Sequence, residues 1–266
     1  MSTINTNVSS LNAQRNLMTS RESLSVSLQR LSSGLRVNSS KDDAAGLAIA
    51  DRMNAQIRGI NVAIRNANDG ISLAQTAEGA LATISDVFQR MRELAVQAQN
   101  GSNGTTDRAN LNTEYQQLSA EVTRIAAQTK FNGTAIVGAG AGAQTFQVGP
   151  NNGDTLVVTT ATVSTVAGDL TTAANASTAV DALDTMMDTI TTSRATYGAA
   201  MSRFQFAISN LQITGENQTA ARGRIMDADF ASETSSLSRA QILQQAGTAM
   251  VAQANQLPSQ VLALLR

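Results

Sequence analysis

A mainly α-helical protein is expected from this chain: a rod-like long helical bundle or coiled coil with a small β-hairpin region and paired terminal helices. Three observations carry that expectation. Apolar residues recur at three–four spacing along most of the 266 residues. The only two prolines are Pro150 and Pro258, so none interrupts helix before residue 150. The spacing lapses over residues 133–170, where glycines and β-branched residues gather instead.

Each element has its own signal. Ile4, Val8 and Leu11 start a first helix, and Leu24, Leu28, Leu31 and Leu35 continue it at four, three, four, a narrow seam of coiled-coil type. Ser32-Ser33-Gly34 ends it. Residues 36–43 read as a linker, with Asp42 or Asp43 as N-cap of the next helix. From 44 to 99 the stripe of Ile49, Met53, Ile57, Ile60, Ile64, Ile71, Leu81, Ile84, Phe88 and Met91 predicts one long helix, weakened locally by Gly59, Gly70 and Gly79. At 1.5 Å per residue that is roughly 80 Å, which calls for a rod or bundle. Asn100-Gly101-Ser102-Asn103-Gly104 is a turn. Leu111, Tyr115, Leu118, Val122 and Ile125 then predict an antiparallel neighbour, ended by Phe131-Asn132-Gly133. Residues 133–170 predict a hairpin or two. Their Gly138–Gly142 stretch is no phosphate loop, because no Gly-Lys-Ser/Thr comes after it. Helix returns over about 176–220 with Val180, Leu183, Met187, Ile190, Tyr197, Met201, Phe204, Ile208 and Leu211. Residues 222–232 look like a second linker. A last helix carries Leu243, Ala246, Met250, Ala254, Leu257, Val261 and Leu264, with Pro258 expected to kink it or strain its preceding turn.

This plan is palindromic: seam helix, linker, long bundle, linker, seam helix. It divides the chain into 1–42, 43–222 with the hairpin region at 133–170, and 223–266. Neither terminal helix has a core within its own segment, so the two pair with each other and with other chains.

Composition narrows the function. The chain has no Cys, no His and no Trp, and only six Phe and two Tyr. Thiolate–imidazole zinc sites, a catalytic cysteine, a Ser–His relay and disulfides are therefore excluded. No cofactor is implied, and no acid–base or metal constellation suggests an enzyme. A net charge of −1 with 15% charged residues gives no basic field for nucleic acid and little repulsion between copies. No stretch is long and apolar enough to insert in a membrane. The N-terminus lacks the basic and apolar regions of a cleaved secretory signal. About one residue in six is alanine, which lets helices approach closely but supplies few large anchors.

One pairing can be placed by arithmetic. Arg90 and Glu114 lie equally far on either side of Ser102, so an antiparallel reversal there sets them level. Leu94 lies four residues beyond Arg90 and is expected beside the pair, at the edge of the stripe. Such a pair is worth about 0–1 kcal/mol where exposed.

Several long motifs carry a family resemblance. Leu31-Ser32-Ser33-Gly34-Leu35-Arg36, Lys41-Asp42-Asp43-Ala44-Ala45-Gly46, Arg65-Asn66-Ala67-Asn68-Asp69-Gly70-Ile71-Ser72 and Gln128-Thr129-Lys130-Phe131-Asn132-Gly133 resemble the N-terminal half of bacterial flagellin. Arg224-Ile225-Met226-Asp227-Ala228-Asp229-Phe230-Ala231 and Ala252-Gln253-Ala254-Asn255-Gln256-Leu257-Pro258 resemble its C-terminal half. The likeness covers roughly 1–135 and 175–266, and only about 40 residues separate the helical halves. It implies a short flagellin without the variable outer domains.

The resemblance further implies a secreted filament subunit for motility, exported unfolded through the flagellar type III apparatus. Its expected partners are other copies of itself, an export chaperone, and the filament cap and hook-junction proteins. Ile4, Val8, Leu11, Leu24, Leu28, Leu31, Leu243, Met250, Leu257, Val261 and Leu264 become assembly positions. Gln253, Gln256 and Gln260 become lining of a central channel. Gln89, Arg90, Leu94 and Glu114 match positions buried between subunits and recognised by the flagellin-sensing Toll-like receptor of vertebrates. The competing readings are a hook–filament junction protein and a secreted helical effector or adhesin.

Overall fold

A computed structural model describes residues 6–164 and 166–264, excluding the side chains of 257–264. Its described elements are α1 (Val8–Ser33), α2 (Ala44–Gln99), α3 (Thr105–Gln128), β1 (Lys130–Phe131), β2 (Thr134–Ala135), β3 (Gln144–Gln147), β4 (Thr155–Val158), α4 (Ala173–Met226) and α5 (Phe230–Leu264). They divide into a terminal unit, Met1–Ala55 with Asn217–Arg266, and a central unit, Gln56–Glu216.

In the terminal unit α1 and α5 pack antiparallel. The Asn7 side chain caps α1 by accepting from the Ser10 N–H at 3.0 Å, and donates across to the Ala254 carbonyl at 2.7 Å. Gly34 ends α1 in the left-handed conformation, φ 71°, where a side chain would be strained. Where both linkers cross, Leu35 and Asp227 form an antiparallel bridge, flanked by Arg36 N–H to Met226 O and Ala228 N–H to Gly34 O. The Arg36 guanidinium adds a bond to the Ile225 carbonyl. Of the two candidate caps for α2, Asp43 serves, accepting from Gly46 N–H at 2.8 Å. Asp42 turns back onto the N–H groups of Asn38 and Ser39, which hold its carboxyl below the usual range.

The second break is narrower than its composition suggests. Helix α4 runs through Gly223 to Met226, and α5 starts at Phe230 behind Asp229, whose carboxylate accepts from Ala231 and Ser232 N–H. Only Asp227–Asp229 lies outside helix, not 222–232, because a single glycine costs a long helix about 1 kcal/mol and does not end it. The α5 backbone continues as helix through Pro258.

In the central unit α2 reverses into α3 at the predicted turn. Arg108 locks the reversal by donating to the Ala98 and Asn100 carbonyls at 2.8 and 3.2 Å, satisfying acceptors at the α2 C-terminus. The sequence Phe131-Asn132-Gly133 does not itself end α3. It forms a tight hairpin with Asn132 and Gly133 at φ 48° and 81°, the Asn-Gly turn favoured by right-twisted strands. A second hairpin pairs Gln144–Gln147 with Thr155–Val158. The core runs along α2 through Leu81, Ile84, Phe88, Met91, Leu94 and Ala95, closed by Tyr115 and Val122 of α3 and Leu183, Ile190, Tyr197 and Phe204 of α4. Tyr197 ties the loops to it, its hydroxyl donating to Ile136 O and accepting from Ala161 N–H, both bonds buried.

Candidate functional site

The terminal helices present two unlike faces. On α1 the covered positions include Ser10, Ala13, Leu17, Ser20, Leu24, Ser27 and Leu31, a seven-residue repeat in which small residues alternate with leucine from Ala13 on. On α5 they are Leu237, Ala240, Gln244, Gly247, Val251 and Ala254. Small residues let the backbones approach: a Cβ on Gly247 would stand 3.0 Å from Leu17 Cδ1. Ser10 Oγ bonds Asn255 Oδ1 at 2.8 Å across the seam, and Arg30 faces Glu233 at 3.8 Å at its other end.

The apolar residues expected to form the seam are therefore divided. Leu24 and Leu31 face α5, whereas Val8, Leu11 and Leu28 are about half exposed or more. On α5 the seam sits one position on from Leu243 and Met250, which remain 50% and 62% exposed. The physical reason is size: the alanine–glycine track on α5 permits the closest approach, so the larger residues turn outward. Met18 shares the outer side of α1 with Leu11, one heptad away, and Ile242 and Phe230 are exposed elsewhere around α5. Ile4 lies outside the described residues, as do the side chains of Leu257, Gln260, Val261 and Leu264. Gln253 and Gln256 are exposed on one face of α5.

In the central unit Arg90 meets Glu114, its Nε and NH2 groups lying 3.1 and 2.9 Å from Glu114 Oε1, and a third bond reaches Glu93. Those carboxylates favour the guanidinium charge, Glu93 first. Gln89 is exposed beside them. Leu94 is not at the edge of the stripe: it is 1% exposed inside the core. Helices pack on both flanks of α2, which widens its buried face beyond the single stripe read from spacing. Sequence spacing also misses the Arg92–Asp184 pair, 2.6 Å between α2 and α4, because no short turn relates those helices in register. Arg92 holds the Asp184 carboxyl below its usual range.

Among the described residues no group of three or more acidic side chains is arranged to hold a metal ion, and no helix is long and apolar enough to cross a membrane. What the geometry offers is surface: exposed apolar side chains on a helix pair and a solvated ion-pair cluster.

Comparison with known proteins agrees with that reading. The family model for the bacterial flagellin N-terminal helical region matches residues 4–141, and that for the C-terminal helical region matches residues 180–265. A flagellin of Halalkalibacterium halodurans is 44% identical over 99% of this chain and 99% of its own length. A flagellin of Xenorhabdus nematophila is 40% identical over 100% of this chain and 99% of its own. The crystal structure of Bacillus cereus flagellin superposes with TM-score 0.52 at 34% identity, covering 55% of this chain and 88% of that one.

Proposed function

The chain belongs to the bacterial flagellin family, a family of structural filament subunits and not of enzymes, and from that membership we propose how it assembles. The outward apolar side chains of the α1–α5 pair are the main contact between copies in the filament. One observation carries this: the pair covers Leu17, Leu24 and Leu31 against a small-residue track of Ala240, Gly247 and Ala254, and leaves Val8, Leu11, Met18, Leu243 and Met250 half or more exposed. Each such side chain, already partly covered, gains about 1–2 kcal/mol on full burial. Several per copy therefore offset an association cost of roughly 4–15 kcal/mol.

In this reading residues 1–42 and 223–266 build the inner wall, and 43–222 forms an outer layer around it. Gln253, Gln256 and Gln260 line a central channel, where uncharged amides let an unfolded chain pass without electrostatic trapping. The chain is secreted through the flagellar type III apparatus with help from an export chaperone, and meets the hook-junction and cap proteins at the filament ends. Recognition by the vertebrate flagellin-sensing Toll-like receptor runs through Gln89, Arg90 and Glu114, with Leu94 supporting them from beneath.

Electron microscopy after seeding or salt addition tests the assembly. The full chain is expected to form long tubes, and a version lacking residues 1–35 and 231–266 to form none. Tubes from the shortened version would remove the terminal helices from the mechanism.

A further inference from the structure

The central unit carries an apolar feature that the terminal helices do not explain. Phe206 on α4 is 77% exposed, more than any other large hydrophobic residue among those described. Its neighbour Phe204 is fully buried and meets Phe146 edge-on, ring centroids 5.5 Å apart. Phe206 lies two positions further on, about 200° around the helix, so it cannot share that core. The other aromatics of the central unit are buried or half-buried. A scattered exposed leucine is ordinary. A projecting phenylalanine, in a chain with only six, is the kind of large rigid anchor that interfaces use.

The same unit holds an apolar groove of about 440 Å³ between α3, the segment from Ala135 to Gly140, and Val163. Val122, Ala126, Val137 and Val163 are its buried lining, and Ala127 and Ala139 are exposed at its sides. Gly138 keeps it open: its φ is 91°, and a Cβ there would stand 3.1 Å from that of Ala126. An apolar cavity of roughly 150 Å³ is enough to take a benzene ring, so the groove has room for a phenyl side chain with part of its backbone. Phe206 does not line it.

We propose that Phe206 of one copy docks into this groove on the next copy of the chain. Projection and groove are different patches of one surface. A contact between unlike patches need not close on itself, and so extends into an open array. The occupant is therefore another copy and not a free ligand, a choice that rests on the assembly reading above.

The chain contains no cysteine, so cross-linking can be read cleanly. Filaments of a Ser209→Cys/Ala139→Cys chain, which keeps Phe206 and places one thiol on the exposed turn beside it, are oxidised and run on a non-reducing gel. A ladder of covalent oligomers is expected, with at most dimers from either single variant. Filaments that form without a ladder overturn the proposal and leave the assembly reading intact. Absence of filaments from the unaltered chain overturns the assembly reading instead. In parallel, Phe206→Ala is expected to raise the concentration needed for assembly roughly tenfold or more, and Phe206→Tyr to stay near the unaltered chain. An unchanged Phe206→Ala value overturns the proposal even if the double-cysteine chain fails to assemble.

Discussion

Replacing Gly70 by alanine should destabilise this protein, although glycine to alanine inside a helix ordinarily stabilises by about 1 kcal/mol. Gly70 faces the core of the central unit. A Cβ there would stand 2.5 Å from Phe204 Cζ and under 3.0 Å from both flanking ring carbons. The ring must move, and Phe204 is fully buried against Phe146. Overpacking of this kind costs about 1–3 kcal/mol, and loss of the edge-on contact about 0.5–1.5 kcal/mol. Set against the helix gain, the net loss is about 0.5–3.5 kcal/mol. Gly79 lies on the same helix, where an added Cβ would meet nothing within 4 Å, so Gly79→Ala should gain about 1 kcal/mol. Urea unfolding monitored by circular dichroism compares the two directly. Equal stabilisation by both substitutions would show that Phe204 does not pack against Gly70 as described.

Three further outcomes rest on the same geometry. Tyr197→Phe removes the hydroxyl that joins Ile136 O and Ala161 N–H, leaving a buried donor unpaired; a loss of about 1–3 kcal/mol is expected in the same urea titration. Asp184 titrates below its ordinary 3.8 because Arg92 hydrogen-bonds its ionised form. A depressed folded value means stability present above the unfolded pKa and lost as pH falls through the folded one. Thermal melts should therefore change little from neutral pH to about 5 and fall below about 4, with a smaller acid loss in Asp184→Asn. Gly247→Leu would drive a side chain into Leu17 at the α1–α5 seam; filaments should fail to form at ten times the usual assembly concentration, while the central-unit melt is unchanged.

Much of this fold can be read from the residues, because its helices are long and their signals local. The limits of α2 are set by Asp43 at one end and Asn100-Gly101 at the other. The level pairing of Arg90 with Glu114 comes from a short turn that permits only one register. Spacing is less able to tell which way a stripe faces. Leucine spacing on α1 and α5 marks apolar residues but not which of them are covered, since that depends on how closely Ala240, Gly247 and Ala254 let the helices approach. Leu94 shows the converse: packing on two flanks buries a residue that a single stripe leaves at its margin. The extent of the second linker depends on Gly223, which a helix of this length tolerates. Phe206 has a sequence signal of its own, as a phenylalanine off the three–four stripe between Phe204 and Ile208.

Methionine oxidation offers a direct reading of what the terminal helices do in a filament. Met18 and Met250 are 72% and 62% exposed on the two terminal helices, whereas Met91 is fully buried in the central core. Peroxide oxidation of a thioether tracks its exposure. In the free chain Met18 and Met250 should oxidise fast and Met91 slowly, as measured by mass spectrometry. In filaments Met18 and Met250 should slow at least tenfold, toward the Met91 rate. Oxidation of both at the free-chain rate within intact filaments would mean that these side chains stay open to water, and that copies are held together elsewhere.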